Sequence, residues 1–139
     1  MGLILRVVGL SSHPAGFTPD EASFGYDAYS LIHTGADQWG HPWPLTFKSF
    51  GDYKLPLYTY LTIPSVLILG LNEFAIRLPN ALFGAISVLG LYFLVIELCK
   101  SFKFDGIHDK KLALLSSFIL AVSPWHIMLS RGAFESNLT

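Results

Sequence analysis

Two nearly continuous apolar runs, residues 80–99 and 112–130, limit what this chain can fold into. A transmembrane helix needs about 20 mainly apolar residues, and both runs have roughly that length. In the whole chain 52% of the residues are hydrophobic and 14% are charged, which is unusual for a soluble domain. A soluble helical module would have to bury both runs in one core. The sequence therefore predicts an all-α, polytopic membrane protein.

The distribution of charge predicts how the chain is threaded through the membrane. The segment 100–111 carries the densest group of lysines, and short basic connections tend to stay cytoplasmic. We expect the polar, acidic segment 11–54 on the outer side. An odd number of crossings must therefore separate segment 11–54 from segment 100–111. The apolar run 55–71 is short, contains two prolines and begins with interfacial residues. We predict that 55–71 is a juxtamembrane helix.

The remaining segments follow from this threading. Residues 80–99 would cross inward and 112–130 would return, with Pro124 able to kink the second crossing. Residues 1–10 are apolar but about half the length of a crossing, and we interpret them as the end of a truncated first transmembrane helix. Residues 131–139 would start a second outer loop. We therefore expect an N-terminal portion of a larger protein, whose first outer loop is 11–79.

The segment Thr18-Pro19-Asp20-Glu21 has the pattern of a helix start. Thr18 would be the N-cap, Pro19 the first helical residue, and Glu21 the partner of Thr18 in a capping box. Gly35 would end this helix, which we predict over 18–34. Glu21 and Asp20 then have two open interpretations. They either stabilise the helix start, or serve as functional acids beside cations that share their side of the membrane.

Four segments of the sequence, in order, resemble a known family. They are RVVGLSSHPAGFTPDEASFG, YKLPLYTYL, LNEFAIRLPNALFGAISVLGLYFL and SPWHIMLSRGAFESNL. Together they resemble the N-terminal part of the polyprenyl-phosphate-sugar-dependent glycosyltransferases of the GT-C fold, glycosyltransferase family 39. This family includes protein O-mannosyltransferases and lipid A aminoarabinose transferases. The resemblance implies many membrane helices, with juxtamembrane helices and the catalytic acid in the first outer loop.

The resemblance also implies roles for individual residues. Asp20 would be the catalytic general base and Glu21 its paired neighbour. The residues near the donor phosphate would be basic, namely Lys54, Arg77 and Arg6. Arg131 and Glu135 would belong to a further site at the start of the second outer loop, where relatives often have Asp in place of Glu.

The implied reaction is transfer of a sugar from a polyprenyl-phosphate donor to a hydroxyl-bearing acceptor, with inversion. The protein would be a multi-pass protein of the plasma (inner) membrane, with the lipid bilayer as a partner and the active site on the outer face. We expect no cofactor, although some relatives hold a divalent metal through acids. His13, His33 and His41 match no recognised metal-ligand spacing.

Other classes of protein agree less well with the sequence. Lysines and arginines are scattered and the net charge is −1, so nothing indicates a nucleic-acid surface. A transporter or channel subunit is the main alternative, because prolines and small residues are common in their membrane helices. Such proteins usually carry ionisable residues near the bilayer midplane, whereas the acids of this chain gather in a loop. This difference favours chemistry at the membrane surface.

Overall fold

The computed structural model describes residues 1–49, 51–102 and 106–133, and the chain in these ranges is mostly helical. Its helices are α1 Gly2–Val7, α2 Pro19–Thr34, α3 Pro56–Leu69, α4 Glu73–Ser101, α5 Gly106–Val122 and α6 Pro124–Arg131. Two short strands, β1 Phe47–Ser49 and β2 Asp52–Lys54, lie between α2 and α3. They pair antiparallel, with Phe47 opposite Lys54. The mainly helical prediction is confirmed, and the hairpin is an addition to it.

Helix α4 is longer than the apolar run that predicted it. It begins at Glu73 and continues through Pro79, with Asn72 as N-cap accepting a hydrogen bond from the Ala75 N–H. Pro79 has no N–H to donate to the carbonyl of Ala75, four residues earlier. The Ser65 hydroxyl of α3 donates to that carbonyl instead, at 2.6 Å. The helix therefore continues where the proline alone would favour an end.

One described helix, α4, is long and apolar enough to cross a membrane by itself. The predicted second crossing over 112–130 is not one continuous helix. It is broken at Ser123, and the helices on either side of the break form a bent pair with an angle of 57°. The kink expected at Pro124 is thus a break, because Pro124 cannot continue the hydrogen-bond ladder of α5. The pair has the length and apolarity of a crossing only when both halves are taken together.

Helix α3 turns several polar side chains inward and several large apolar side chains outward. Tyr58, Thr59 and Thr62 are buried, whereas large apolar side chains on its other side are exposed, including Leu67 and Ile68. Along α4 exposed large residues are also mostly apolar, and they include Leu82, Phe83, Ile86, Leu89, Phe93, Leu94 and Leu98. Exposed apolar area on this scale requires an apolar surrounding or a partner surface. It is the arrangement expected of helices that face lipid.

A small core joins α2, α3 and the first turns of α4. Its buried members include Phe24, Tyr58, Val66 and Ile76. The Phe24 and Tyr58 rings lie 4.8 Å apart between centroids. Gly25 has no side chain where Ile76 packs, and a Cβ there would overlap with the Ile76 side chain. This core fixes α2 against the start of α4 and so determines where Asp20 and Glu21 lie.

Candidate functional site

The predicted capping box at the start of α2 is present. The Glu21 N–H donates to Thr18 Oγ1 at 3.2 Å, and the Thr18 N–H donates to Glu21 Oε2 at 3.0 Å. Pro19 is the first helical residue, and Gly35 ends the helix with a φ of 70°. Such a left-handed conformation favours glycine at a helix end. The interpretation of Glu21 as a helix-capping residue is therefore confirmed, but capping is only part of what this side chain does.

Glu21 also forms a buried ion pair with Arg77 of α4. Arg77 Nε lies 2.8 Å from Glu21 Oε1, and Nη2 lies 3.0 Å from Oε2. The Ala133 N–H donates to the same Oε1 at 3.0 Å. Burial raises the pKa of the Glu21 carboxyl, but the hydrogen bonds from Arg77, Ala133 and Thr18 outweigh it and hold the pKa below its ordinary value. Glu21 is thus a buried carboxylate rather than a free acid.

The other donors of Arg77 bind the segment that precedes α2. Nη1 donates to the carbonyls of Leu10 at 3.0 Å and Pro14 at 3.2 Å, and Nη2 donates to that of Gly16 at 2.6 Å. A guanidinium has five N–H donors, and the contacts to Glu21 and these carbonyls use all five. For Arg77 to bind a donor phosphate, as the resemblance implies, at least one of these contacts must be exchanged.

Asp20 and Lys54 form a separate and more accessible pair. Lys54 Nζ lies 2.9 Å from Asp20 Oδ1, with the Asp20 side chain 62% exposed and that of Lys54 7% exposed. The same ammonium donates to the Asp20 carbonyl at 3.2 Å and lies 4.3 Å from the centroid of the Phe24 ring. The hairpin β1–β2 ends at Lys54 and so delivers this cation to the start of α2. Asp20 is left open to a ligand on its remaining side.

Arg6 lies elsewhere, against the break between α5 and α6. Its Nη1 donates to the carbonyls of Gly2 at 2.7 Å and Ala121 at 3.3 Å, and its Nη2 lies 3.5 Å from that of Leu120. The Leu120 carbonyl would normally accept from residue 124, but Pro124 has no N–H. The buried guanidinium therefore binds the carbonyl end of α5, where a positive charge is stabilised.

His126 continues the contacts of Arg6 toward α4. Arg6 Nη2 lies 2.6 Å from His126 Nδ1, and His126 Nε2 lies 3.1 Å from Ser87 Oγ. Arginine only donates, so Nδ1 must accept and the proton of the neutral ring must be on Nε2. The Ser87 oxygen accepts a hydrogen bond from the Nε2–H, and its hydroxyl donates to the Gly84 carbonyl at 3.0 Å. Arg6 is therefore held in a polar cluster of its own.

Arg131 holds the N-terminal segment from a third direction. Its guanidinium donates to the carbonyls of His13 at 3.2 Å, Leu5 at 2.8 Å and Gly9 at 2.9 Å. Glu135, the acid expected beside it, lies outside the described residues. Within the described part of the chain, no three histidine, cysteine, aspartate or glutamate side chains come together to hold a metal ion.

Asp27 is a candidate that the sequence reasoning missed. It is buried, and its Oδ1 accepts from the Gln38 N–H at 3.1 Å. Its Oδ2 lies 3.4 Å from the Ser23 hydroxyl and 3.3 Å from Gln38 Nε2. Burial raises the pKa of Asp27, the Gln38 N–H opposes the rise, and the charge of Asp37 adds to it. The seven-residue spacing from Asp20, which puts both acids on one side of α2, was the available signal.

No family model, curated protein or solved structure matches this chain.

Proposed function

We propose that this chain forms part of an integral-membrane glycosyltransferase that uses a polyprenyl-phosphate-linked sugar and a hydroxyl-bearing acceptor. The observation that carries the proposal is the pair of exposed Asp20 and nearly buried Lys54, 2.9 Å apart at the start of α2. A general base must be open to the proton that it takes, and a cation that binds phosphate acts most strongly when it is partly dehydrated. The pair satisfies both requirements.

In the proposed reaction Asp20 accepts the proton of the acceptor hydroxyl while its oxygen attacks the anomeric carbon. The bond from that carbon to the phosphate oxygen breaks, and the lipid phosphate leaves with the electron pair. An ammonium has three N–H donors, of which Lys54 uses two on Asp20, and the Phe24 ring lies 4.3 Å from the same nitrogen. A phosphate oxygen that binds Lys54 would therefore replace one of these contacts.

The geometry of the two acids supports a single displacement with inversion. Asp20 and Glu21 are adjacent on α2 and so project about 100° apart. One pairs with Lys54 and the other with buried Arg77. A double displacement would need a second carboxylate on the same sugar carbon, and Glu21 is not free to supply it. In this mechanism Glu21 and Arg77 are positioning residues that fix α2, and Arg6 stabilises the broken helix.

The length of α4 supports the proposed crossing. Its residues 78–96 carry no charge, and a helix of that length extends about 28 Å, close to the roughly 30 Å hydrocarbon thickness of a bilayer. Arg77 precedes this stretch, and Glu97 and Lys100 follow it. With the lysine-rich end cytoplasmic, Arg77 and the acids of α2 belong to the outer face of a plasma (inner) membrane.

One observation favours the alternative of a transporter or channel subunit. Arg6, His126 and Ser87 form a polar cluster beside the apolar part of α4, and broken helices with free carbonyl ends bind ions in transporters. Here, however, the guanidinium of Arg6 already occupies the carbonyl end of α5. Apart from Arg6 Nε, which has no hydrogen-bond partner among the described residues, the polar atoms of the cluster pair within the protein. Asp20 remains open, so we favour the enzyme.

The direct test is sugar transfer by the natural protein in its own membranes, with a polyprenyl-phosphate hexose as donor. Asp20→Asn should reduce the rate by about 10²- to 10⁴-fold, the usual range for losing a general base. Glu97→Gln is the matched control, because it removes an exposed carboxylate at the far end of α4 and should leave the rate unchanged. Near-normal transfer by Asp20→Asn would exclude Asp20 as the base.

A further inference from the structure

A cavity of about 520 Å³ lies beside the N-terminal half of α2, between that helix and the residues that begin α4. Its volume is in the range of small-molecule sites, about 300–1,000 Å³. The rings of Phe17 and Tyr26 form part of its apolar wall. Ser23, Gln38, Asn72 and Glu73 supply polar groups, and the Asn72 amide already donates to the carbonyls of Leu69 and Gly70. Neither Arg77 nor Lys54 lines it, so the cavity is distinct from the two ion pairs described above.

Asp27 fixes the polar groups on one side of the cavity. The Gln38 amide nitrogen points to Asp27 Oδ2 and to Ser23 Oγ, at 3.3 Å and 3.4 Å. This assigns the opposite atom of the amide, Oε1, as the acceptor left for a ligand. The Ser23 hydroxyl hydrogen is likewise directed at Asp27. On the side of Ser23 and Gln38, the cavity thus offers hydrogen-bond acceptors rather than donors.

Glu73 adds a second acceptor at the start of α4. Its carboxylate is 44% exposed and lies 3.8 Å from Arg77 Nη1, which holds it near the end of the helix without burying it. Glu73 and the buried Asp27 make the electrostatic potential around the cavity negative. A negative potential disfavours an anionic ligand. A lipid phosphate would therefore avoid this cavity and favour Lys54. The cavity and the Asp20–Lys54 pair are thus suited to different ligands.

We propose that this cavity binds a neutral saccharide unit of the acceptor. Sugar rings combine outward hydroxyl donors with apolar C–H faces, which match the acceptors of Gln38 and Glu73 and the rings of Phe17 and Tyr26. Ser23 is three residues from Asp20, so their Cβ atoms lie about one turn apart, roughly 5–6 Å. A saccharide in the cavity can therefore present a hydroxyl toward Asp20. This inference rests on the proposed glycosyltransferase function and names its acceptor class.

The test is whether the neutral trisaccharide mannotriose binds to the protein in lipid nanodiscs. Saturation-transfer NMR measures this binding. Detergents with sugar headgroups are avoided, because they would compete for the cavity. Tyr26→Ala should weaken binding by about fivefold to tenfold, which is what loss of one aromatic wall predicts. Tyr29→Ala is the matched control: it removes an exposed tyrosine one turn further along α2, where Tyr29 stacks on His33 and does not line the cavity.

A second variant distinguishes a loss of binding from a loss of folding. Glu73→Gln keeps the size of the side chain but removes its charge, and it should also weaken mannotriose binding by several fold. No binding to the unmodified protein, or equal binding by all variants, would overturn the cavity assignment. Asp20→Asn separates the two proposals, since it should reduce transfer by about 10²- to 10⁴-fold and leave mannotriose binding intact. Retained transfer by that variant counts against the catalytic proposal alone.

Discussion

Lys54 Nζ lies 2.9 Å from Asp20 Oδ1, although 34 residues separate the two in sequence. The ammonium is nearly buried over the Phe24 ring, while the carboxylate is mostly exposed. The pair is therefore asymmetric, with a cation fixed by its surroundings and an acid free to meet a ligand. The β1–β2 hairpin produces this arrangement by ending at Lys54 beside the first turn of α2.

Replacing Lys54 tests whether this cation binds the leaving phosphate. Lys54→Met keeps a long apolar side chain over Phe24 and removes the charge. We expect sugar transfer to fall by about 10²- to 10³-fold, the effect of losing one preorganised transition-state contact. Lys48→Met is the matched control, because Lys48 lies on the other strand of the hairpin and over Trp39. Equal effects of both substitutions on the transfer rate would contradict the phosphate role.

Replacing Arg77 distinguishes its structural role from the phosphate role that the family resemblance implies. Arg77→Met leaves the Glu21 charge buried without its partner, which should lower the free energy of unfolding by about 3–5 kcal/mol. Lys100→Met breaks the exposed pair with Glu97 and should cost at most about 1 kcal/mol. Chemical unfolding in nanodiscs measures both. Normal stability together with lost donor binding would assign Arg77 to the phosphate instead.

The parts of the fold that were predicted from sequence depend on local chemistry. Thr18, Pro19 and Gly35 determine the ends of α2 through contacts within a few residues, so their pattern was sufficient. The apolar run 80–99 similarly predicted most of α4. Long-range contacts were not predictable in this way. The five bonds of Arg77 join residues separated by more than 50 positions, and a basic residue in sequence looks the same whether it is free or fully paired.

Two prolines show the same contrast between local chemistry and long-range contacts. Pro124 breaks the helix as its chemistry predicts, whereas Pro79 does not, because Ser65 from another helix supplies the missing donor. The hairpin that places Lys54 was also missed. Its strands have three residues each, too short for an alternating pattern to stand out. Asp20 could thus be identified as a candidate from the sequence. The position of its partner Lys54 could not, because it depends on the tertiary structure.

The contact of Ser65 with Ala75 predicts a dependence between two substitutions. Ser65→Ala leaves the Ala75 carbonyl buried without a donor and should cost about 1–3 kcal/mol of unfolding free energy. In a Pro79→Ala background that cost should shrink, because a helical N–H at position 79 can serve the same carbonyl. A double-mutant cycle measures the coupling. Additive effects would mean that Ser65 does not compensate for the proline.

The two buried acids of α2 predict opposite pH dependences of stability. The folded-state pKa of Glu21 is lowered, so its contribution is present above its ordinary pKa of about 4.3 and is lost as the pH falls. The folded-state pKa of Asp27 is raised, so stability falls as the pH rises past its ordinary value of about 3.9. Asp37, whose pKa is lowered because hydrogen bonds from His41 and Trp39 outweigh its burial, acts with Glu21.

Thermal unfolding in nanodiscs between about pH 3 and pH 6 measures these contributions. Glu21→Gln should reduce the loss of stability on acidification, and Asp27→Asn should make that loss steeper. Each variant is the control for the other, since both neutralise one buried carboxylate on the same helix. A change of slope in the same direction for both would contradict the assigned pKa directions.

Labelling of the two ends of α4 tests the proposed crossing. Cys99 is the single cysteine of the chain, so Cys99→Ala gives a background for Glu73→Cys and Lys100→Cys. In intact cells a membrane-impermeant maleimide should label position 73 from outside, and position 100 only after permeabilisation. The uncharged stretch between them, about 28 Å long, is why the two ends should lie on opposite sides. Equal labelling from one side would remove α4 as a crossing. Because Arg77 of α4 binds Glu21 of α2, Asp20 must lie on the same side of the membrane as position 73. The side from which position 73 is labelled therefore identifies the leaflet from which a lipid donor can reach Asp20.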